Sequence, residues 1–93
     1  MDIEFTERAR KDLIEIFNYI SLNSPQYAES FLKNIYEKIE NLEYFSKIGR
    51  QVPELENPNV REIIFKNYRI VYRILMEKIQ IITIIHGSRL LKL

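Results

Sequence analysis

Apolar side chains follow one period in the first half of the chain and another in the second. In the first half they recur at steps of three and four positions, the spacing that gives a helix one apolar face. Thr6 and Ser24 stand where helix N-caps are expected, and Pro25 follows the second cap at a position where its missing N–H costs nothing. The pattern predicts two amphipathic helices, one ending near Asn23 and the next near Leu42, packed as an antiparallel hairpin.

The second half contains three runs rich in β-branched and aromatic residues, separated by polar pairs. They span residues 60–65, 68–76 and 79–86. Such runs are typical of consecutive antiparallel hairpins. Asp2–Phe5 alternates polar and apolar residues, and it predicts a short strand that can lie parallel to a later one. We therefore expect an α+β fold of order β-α-α-β-β-β, with the helical hairpin on one face of a twisted, mainly antiparallel sheet of three to four strands.

Length and composition restrict the classes of protein and of site. A chain of 93 residues is expected to be a single domain, residues 1–93. It has no cysteine and one histidine, His86, so thiolate chemistry is excluded and neither a metal site nor a cofactor is expected. No run of about 18 apolar residues and no signal-peptide pattern is present, so we expect a cytoplasmic protein that does not engage a membrane.

The formal net charge of +1 hides an asymmetry between the two halves. Residues 1–46 hold five Lys/Arg against nine Asp/Glu, a balance of −4, whereas residues 47–93 hold nine against four, a balance of +5. A basic sheet half indicates a polyanion or an acidic protein as partner. Ordinary solvated surfaces are the alternative.

Alternation along the strands places aromatic and apolar residues on one face of the sheet. The opposite face is expected to mix aliphatic side chains with Arg69, Arg73 and His86. An exposed surface of that kind usually binds something, so we predict that a partner, a substrate or a second copy covers it. The alternative for the two arginines is that they extend into solvent or pair with Glu62 and Glu77.

The connection between the second helix and the strands, residues 44–59, has no regular period. Long connections in small domains are usually functional or mobile. Its charged residues are candidates to reach over the sheet: Lys47, Arg50, Glu54 and Glu56.

Two stretches resemble the RelE/ParE superfamily of toxins from type II toxin–antitoxin modules. They are Tyr-Arg-Ile-Val-Tyr-Arg at residues 68–73 and Ile-Ile-His-Gly-Ser-Arg at residues 84–89. The opening strand and helix and the Ile-Gly-Arg turn at residues 48–50 are similar as well, so the resemblance covers nearly the whole chain. It implies a toxin that arrests growth and is neutralised by a cognate antitoxin, as a homodimer or a toxin–antitoxin hetero-oligomer.

The superfamily divides by target, which leaves two mechanisms open. RelE-like members cut messenger RNA on the ribosome, and ParE-like members poison DNA gyrase. A metal-independent nuclease needs a base, guanidinium groups that grip phosphate, and an acid. By position Glu54 would be the base and His86 the acid. Arg61 and Arg69 would be the phosphate clamps.

Gly87 favours the ParE-like branch, since nucleases of the superfamily with a terminal histidine tend to follow it with an aromatic residue. A non-catalytic toxin would instead use the cationic face to bind its target or its antitoxin. A third alternative is a non-toxic interaction module that forms a homodimer. The candidate binding residues are Arg50, Arg61, Arg69, Val71, Arg73, Leu75, His86 and Arg89.

Overall fold

A computed structural model, which describes residues 1–92, has the predicted order of elements. The elements are β1 (Asp2–Phe5), α1 (Glu7–Ser21), α2 (Pro25–Glu40), a 3-10 turn (Asn41–Glu43), β2 (Arg50–Gln51), β3 (Val60–Phe65), β4 (Tyr68–Ile74) and β5 (Lys78–His86). They form one sheet in the order β1-β5-β4-β3-β2, with β1 parallel to β5 and every other pair antiparallel. The α+β fold is confirmed, with one short strand, β2, added inside the predicted connection.

Both predicted helix caps are confirmed. The Thr6 hydroxyl accepts a hydrogen bond from the N–H of Ala9 at 3.0 Å, and the Ser24 hydroxyl accepts one from Tyr27 at 3.1 Å. Each bond satisfies an N–H group that the first turn of a helix leaves without a partner. The helices begin where the sequence predicts and end two residues earlier than expected.

The start of α1 covers the part of β5 that β1 does not reach. The Thr6 hydroxyl donates to the carbonyl of Ile82 at 2.7 Å. The carboxylate of Asp12 accepts from the backbone N–H of Ile84 at 3.0 Å and from the hydroxyl of Thr83. Edge groups of a sheet would otherwise need water or another strand. The helix is thereby fixed to the sheet by hydrogen bonds as well as by packing.

A β-bulge in β5 interrupts the alternation of side chains. Tyr72 lies opposite Ile81 and Val71 lies opposite Thr83, so Ile82 is an extra residue without a partner on β4. An extra residue of this kind shifts the side chains that follow it to the other face of the sheet.

The bulge overturns the predicted position of His86. Strict alternation grouped His86 with Arg69 and Arg73, but it pairs with Tyr68 on the face that carries the helices. The two rings meet edge to face with centroids 5.8 Å apart. The prediction was wrong because one inserted residue reverses the alternation.

Each face of the sheet has its own apolar core. The helix side holds the larger one, which includes Phe31, Ile35, Ile70 and Tyr72. The opposite face holds a second cluster, here called the distal core: Val52, Val60, Val71, Ile82 and Leu91, with Leu55 and Ile85 packed against it. The expectation of an exposed aliphatic face was therefore wrong, because the connection and the C-terminal residues cover it.

Tyr72 joins the connection to the sheet. Its buried hydroxyl donates to the carbonyl of Ser46 at 2.7 Å and accepts from the N–H of Gly49 at 3.0 Å. A Cβ at Gly49 would lie 2.6 Å from that hydroxyl and 2.7 Å from the carbonyl oxygen of Glu62. Only glycine lets the backbone pass this close.

Replacing Tyr72 by phenylalanine removes the hydroxyl and keeps the ring. We expect Tyr72→Phe to lower the free energy of unfolding by about 1–3 kcal/mol, because a buried N–H and a buried C=O lose their partner. Urea denaturation followed by circular dichroism measures the change. Tyr36→Phe is the matched control, since Tyr36 is exposed. This substitution should change the free energy of unfolding by less than about 0.5 kcal/mol. Equal free energies of unfolding for the two variants would contradict this role of Tyr72.

Candidate functional site

Four charged residues form a connected network on the distal face, here called the charge network: Arg50, Glu54, Glu62 and Arg69. Arg50, Glu62 and Arg69 come from the adjacent strands β2, β3 and β4, and Glu54 comes from the connection. Arg50 lies directly opposite Glu62 in the ladder, and Glu62 and Arg69 meet diagonally. Neighbouring strands therefore bring together charges that are distant in sequence.

The guanidinium of Arg69 is buried and hydrogen-bonded at each of its three nitrogens, its side chain being only 6% exposed. Its Nε donates to Glu62 at 2.7 Å, and Nη1 and Nη2 grip the two oxygens of Glu54 at 2.8 and 2.7 Å. Nη2 also contacts Glu62 at 2.6 Å, and Nη1 donates to the carbonyl of Arg89 at 2.9 Å. All three nitrogens of the guanidinium therefore donate hydrogen bonds, four in total within residues 1–92.

Glu62 is the most deeply buried carboxylate of the network, with a side-chain exposure of 0%. One oxygen receives Arg69 and the other receives Arg50, at 2.7 Å from Nε and 2.6 Å from Nη2. A buried carboxylate is tolerated only when it is paired and hydrogen-bonded. The alternative that Arg69 pairs with Glu62 is thus confirmed, although the pair is buried and not at the surface.

Glu54 is held as a carboxylate by its neighbours. The hydrogen bonds from Arg69, and after them the bond from the backbone N–H of Leu91 at 2.8 Å, lower the pKa of Glu54 to about 2. In return the carboxylate of Glu54 raises the pKa of Arg69. Both oxygens of Glu54 are therefore occupied by donors, and the group binds a proton only in strong acid.

Arg61 lies apart from the charge network. It sits opposite Tyr72 in the β3–β4 ladder, on the helix side of the sheet. Its Nε donates to the carbonyl of Pro58 at 3.1 Å and its Nη1 to the carbonyl of Gly49 at 2.9 Å. These bonds attach the connection to β3. The two arginines expected to act together as phosphate clamps, Arg61 and Arg69, therefore belong to opposite faces.

His86 is exposed at the end of β5, away from Glu54 and Arg69. Its Nδ1 accepts from the backbone N–H of Ser88 at 3.2 Å and lies 2.7 Å from the hydroxyl of the same residue. In the neutral ring this leaves Nε2 to carry the proton. The four residues predicted as a nuclease site are not brought together.

The other predicted binding residues differ in how far a partner could reach them. Arg50 and Arg89 are exposed, Arg73 and Leu75 are partly exposed, and Val71 is fully buried in the distal core. Within residues 1–92 Arg73 forms no ion pair with Glu77. Of the connection's charged residues, Arg50 and Glu54 reach the network.

The structure adds two residues that the predicted site did not include. Glu62 was considered only as an ion-pair partner, and Leu91 was not considered. The signal for Glu62 is an acid inside an apolar run, on the same face as Val60. Leu91 gives no comparable signal, because its place depends on how the last residues cross the sheet.

Neither a metal site nor a membrane span is found in the part of the chain that the structure describes. No group of three His, Asp or Glu side chains there could hold a metal ion. None of its helices is long and apolar enough to cross a bilayer.

The pKa of Glu54 predicts how stability depends on pH. A carboxyl whose pKa falls from about 4.5 to about 2 on folding stabilises the protein above pH 4.5, and it loses that contribution as the pH drops towards 2. We therefore expect Glu54→Gln to destabilise the protein most near pH 7, and the difference from wild type to shrink below pH 4.5. Urea unfolding at several pH values measures it.

Glu56→Gln is the matched control, because Glu56 is exposed in the same connection. It should leave stability close to wild type throughout the pH range. If Glu54→Gln lowers the free energy of unfolding by the same amount at pH 7 and at pH 3, ionisation of Glu54 is not the cause of the loss.

Similar folds are found among solved toxin–antitoxin structures. A chain of the chromosomal ParDE system from P. aeruginosa superposes with a TM-score of 0.78 at 26% identity, covering 95% of this chain and 97% of that one. A chain of the RelBE2 complex from Mycobacterium tuberculosis gives 0.59 at 20% identity, covering 91% and 95%. One of the YoeB–YefM complex from Staphylococcus aureus gives 0.56 at 18%, covering 92% and 95%. The last two likenesses concern the fold alone.

The sequence itself decides the family. No curated protein is significantly similar to it. The family model of the ParE toxin of the parDE type II toxin–antitoxin system matches residues 3–91, nearly the full length of the chain. The chain therefore belongs to the ParE family of type II toxin–antitoxin toxins.

Proposed function

We propose that this toxin arrests growth by binding and poisoning DNA gyrase, without catalysis of its own, and that a cognate antitoxin neutralises it. The observation that carries the proposal is the ion pair in which Arg69 donates hydrogen bonds to both oxygens of Glu54. The residues that a nuclease would need free are instead tied together inside the fold.

Glu54 is poorly suited to act as a general base. A base works best when its pKa lies near the working pH and its oxygen can reach the proton it removes. The pKa of Glu54 is about 2, and both of its oxygens accept hydrogen bonds from Arg69. Removing a ribose proton near pH 7 would therefore require this ion pair to break first.

Arg69 is equally unsuited to grip phosphate. Two carboxylates already neutralise its guanidinium, and each of its three nitrogens donates to an acceptor within the fold. A phosphate would have to displace Glu54 or Glu62 and would meet the charge of the other. Arg61 donates to two backbone carbonyls and gives no substitute.

The degree of structural similarity supports the same branch. The chain superposes on the ParDE chain with a TM-score of 0.78 at 26% identity, and the ParE family model matches residues 3–91. Gly87 is consistent with this, because it provides no ring to stack on a base after His86. The homodimer alternative depended on an exposed aliphatic face, which the chain itself covers.

A target could contact the exposed cations of the distal face. Arg50 projects from β2 with 61% of its side chain exposed, and Arg73 lies on the same face of β4 and is partly exposed. Arg69 and Val71 lie beneath them and hold the strands in register. We propose that Arg50 and Arg73 touch the target or the antitoxin, and that Arg61, Arg69 and Val71 contribute by supporting that surface.

Controlled expression separates the two mechanisms. If the toxin poisons gyrase, we expect DNA damage and filamentation while protein synthesis continues at first. His86→Ala should stay toxic, since no proton transfer is needed. Parallel labelling of DNA and protein synthesis measures both. A prompt block of translation with cleaved mRNA, abolished by His86→Ala, would contradict the proposal.

The proposed contact surface has its own test. Arg73→Glu should reduce toxicity, because it reverses a charge on the distal face without touching the charge network. Lys33→Glu makes the same change in charge on an exposed position of α2 and should remain toxic. If Lys33→Glu and Arg73→Glu are equally toxic, Arg73 is not part of the surface.

A further inference from the structure

The last described residues of the chain, 89–92, are held against the fold by three hydrogen bonds and are here called the C-terminal strap. Arg69 donates to the carbonyl of Arg89 at 2.9 Å, and the N–H of Leu91 donates to Glu54 at 2.8 Å. Arg8 at the start of α1 donates to the carbonyl of Lys92 at 2.6 Å. All three bonds use the backbone of the strap. The side chains that point outward are not needed for these bonds and are free to contact a partner.

The outer side of the strap is basic and apolar at once. Leu91 turns into the distal core, whereas Leu90 is 76% exposed. Leu90 lies in an open cleft whose remaining lining residues are Arg8, Ile85, Arg89 and Lys92.

No acidic side chain lines this cleft. Within residues 1–92 none of the three cations of the cleft forms an ion pair. Of the acids on α1, Glu7 lies 3.6 Å from Lys11, and Asp12 and Glu15 line a separate cleft that shares Ile85 and Arg89 with this one. The cleft therefore carries three positive charges around one exposed leucine.

The combination of charges and leucine decides between possible occupants. A second copy would bring three cations against three cations, which opposes association. A nucleic-acid backbone would satisfy the cations and leave Leu90 in water. An acidic peptide with an apolar side chain satisfies both, in the usual arrangement of an apolar centre and a charged rim.

We propose that the C-terminal strap is a docking site for an acidic segment of a protein partner. An apolar side chain of that segment covers Leu90 and Ile85, and its carboxylates face Arg8, Arg89 and Lys92. Because three hydrogen bonds already fix the backbone of the strap, binding needs little further ordering of the toxin. The site is independent of whether gyrase is the target.

Binding of a defined peptide to the purified full chain tests the proposal. The probe is a short fluorescent peptide of glutamates with isolated leucines, and its reference has serine in place of each leucine. We expect the leucine peptide to bind more tightly, with an affinity that falls as salt is added. Amide chemical shifts in NMR spectra should change first at residues 89–92.

Two variants locate the site without disturbing its backbone bonds. Arg89→Glu with Lys92→Glu should weaken binding by about tenfold or more, and Leu90→Ser should abolish the preference for the leucine peptide. Lys33→Glu with Lys66→Glu is the control with the same change in charge, on exposed positions outside the cleft, and should bind like wild type.

Three outcomes would overturn the proposal. Equal binding by the strap variant and the control variant would place the peptide elsewhere. Tighter binding of single-stranded oligothymidylate, insensitive to Leu90→Ser, would make the cleft a nucleic-acid site. A concentration-dependent dimer that Leu90→Ser abolishes would make the occupant a second copy.

Discussion

The buried carboxylate of Glu62 is the constraint on which the distal face depends. A charge with no exposure to water must be neutralised within the fold, and two guanidiniums, of Arg50 and Arg69, share that task. Arg69 is in turn buried and needs a second carboxylate, Glu54, which comes from the connection. Each partner thus requires the next one. The network ties β2 to β3 at the edge of the sheet and holds the connection and the C-terminal strap over its distal face.

The charge network also explains how charged side chains can be buried beside apolar ones on the distal face. Arg69 is surrounded by carboxylates and a carbonyl, and the apolar residues beside it form the distal core. A buried network with missing hydrogen-bond partners would make the fold less stable than an apolar core would. A network in which the groups are paired instead favours one arrangement of the strands. In residues 1–92 no buried side-chain nitrogen or oxygen lacks a partner. Glu54 and Arg69, two of the four catalytic candidates of the superfamily resemblance, therefore have a structural role in this network.

Local signals in the sequence were enough for the helices and for the order of the elements. The caps at Thr6 and Ser24 and the polar pairs between strands act within a few residues, so they can be read from the chain alone. The bulge at Ile82 could not be seen in a run of isoleucines, because every register of such a run is equally apolar. The cover of the distal face was missed since Val52 stands alone in a polar stretch and Leu91 follows the last strand without a regular period, and only the folded chain brings them together. The candidate site inherited both errors.

The distal core has a further consequence for the order in which the protein folds. The helical hairpin and the β3–β4 and β4–β5 hairpins join neighbours in sequence, so they can form early and locally. The Glu54–Leu91 bond joins residues 37 positions apart, and the distal core gathers residues between Val52 and Leu91. Closing such loops costs entropy that only the finished contacts repay. The helix side has such contacts as well, since Thr6 and Asp12 bond to residues of β5 that lie 76 and 71 positions away. We therefore expect the three hairpins to form first, and the contacts that join distant segments on both faces of the sheet to be completed last.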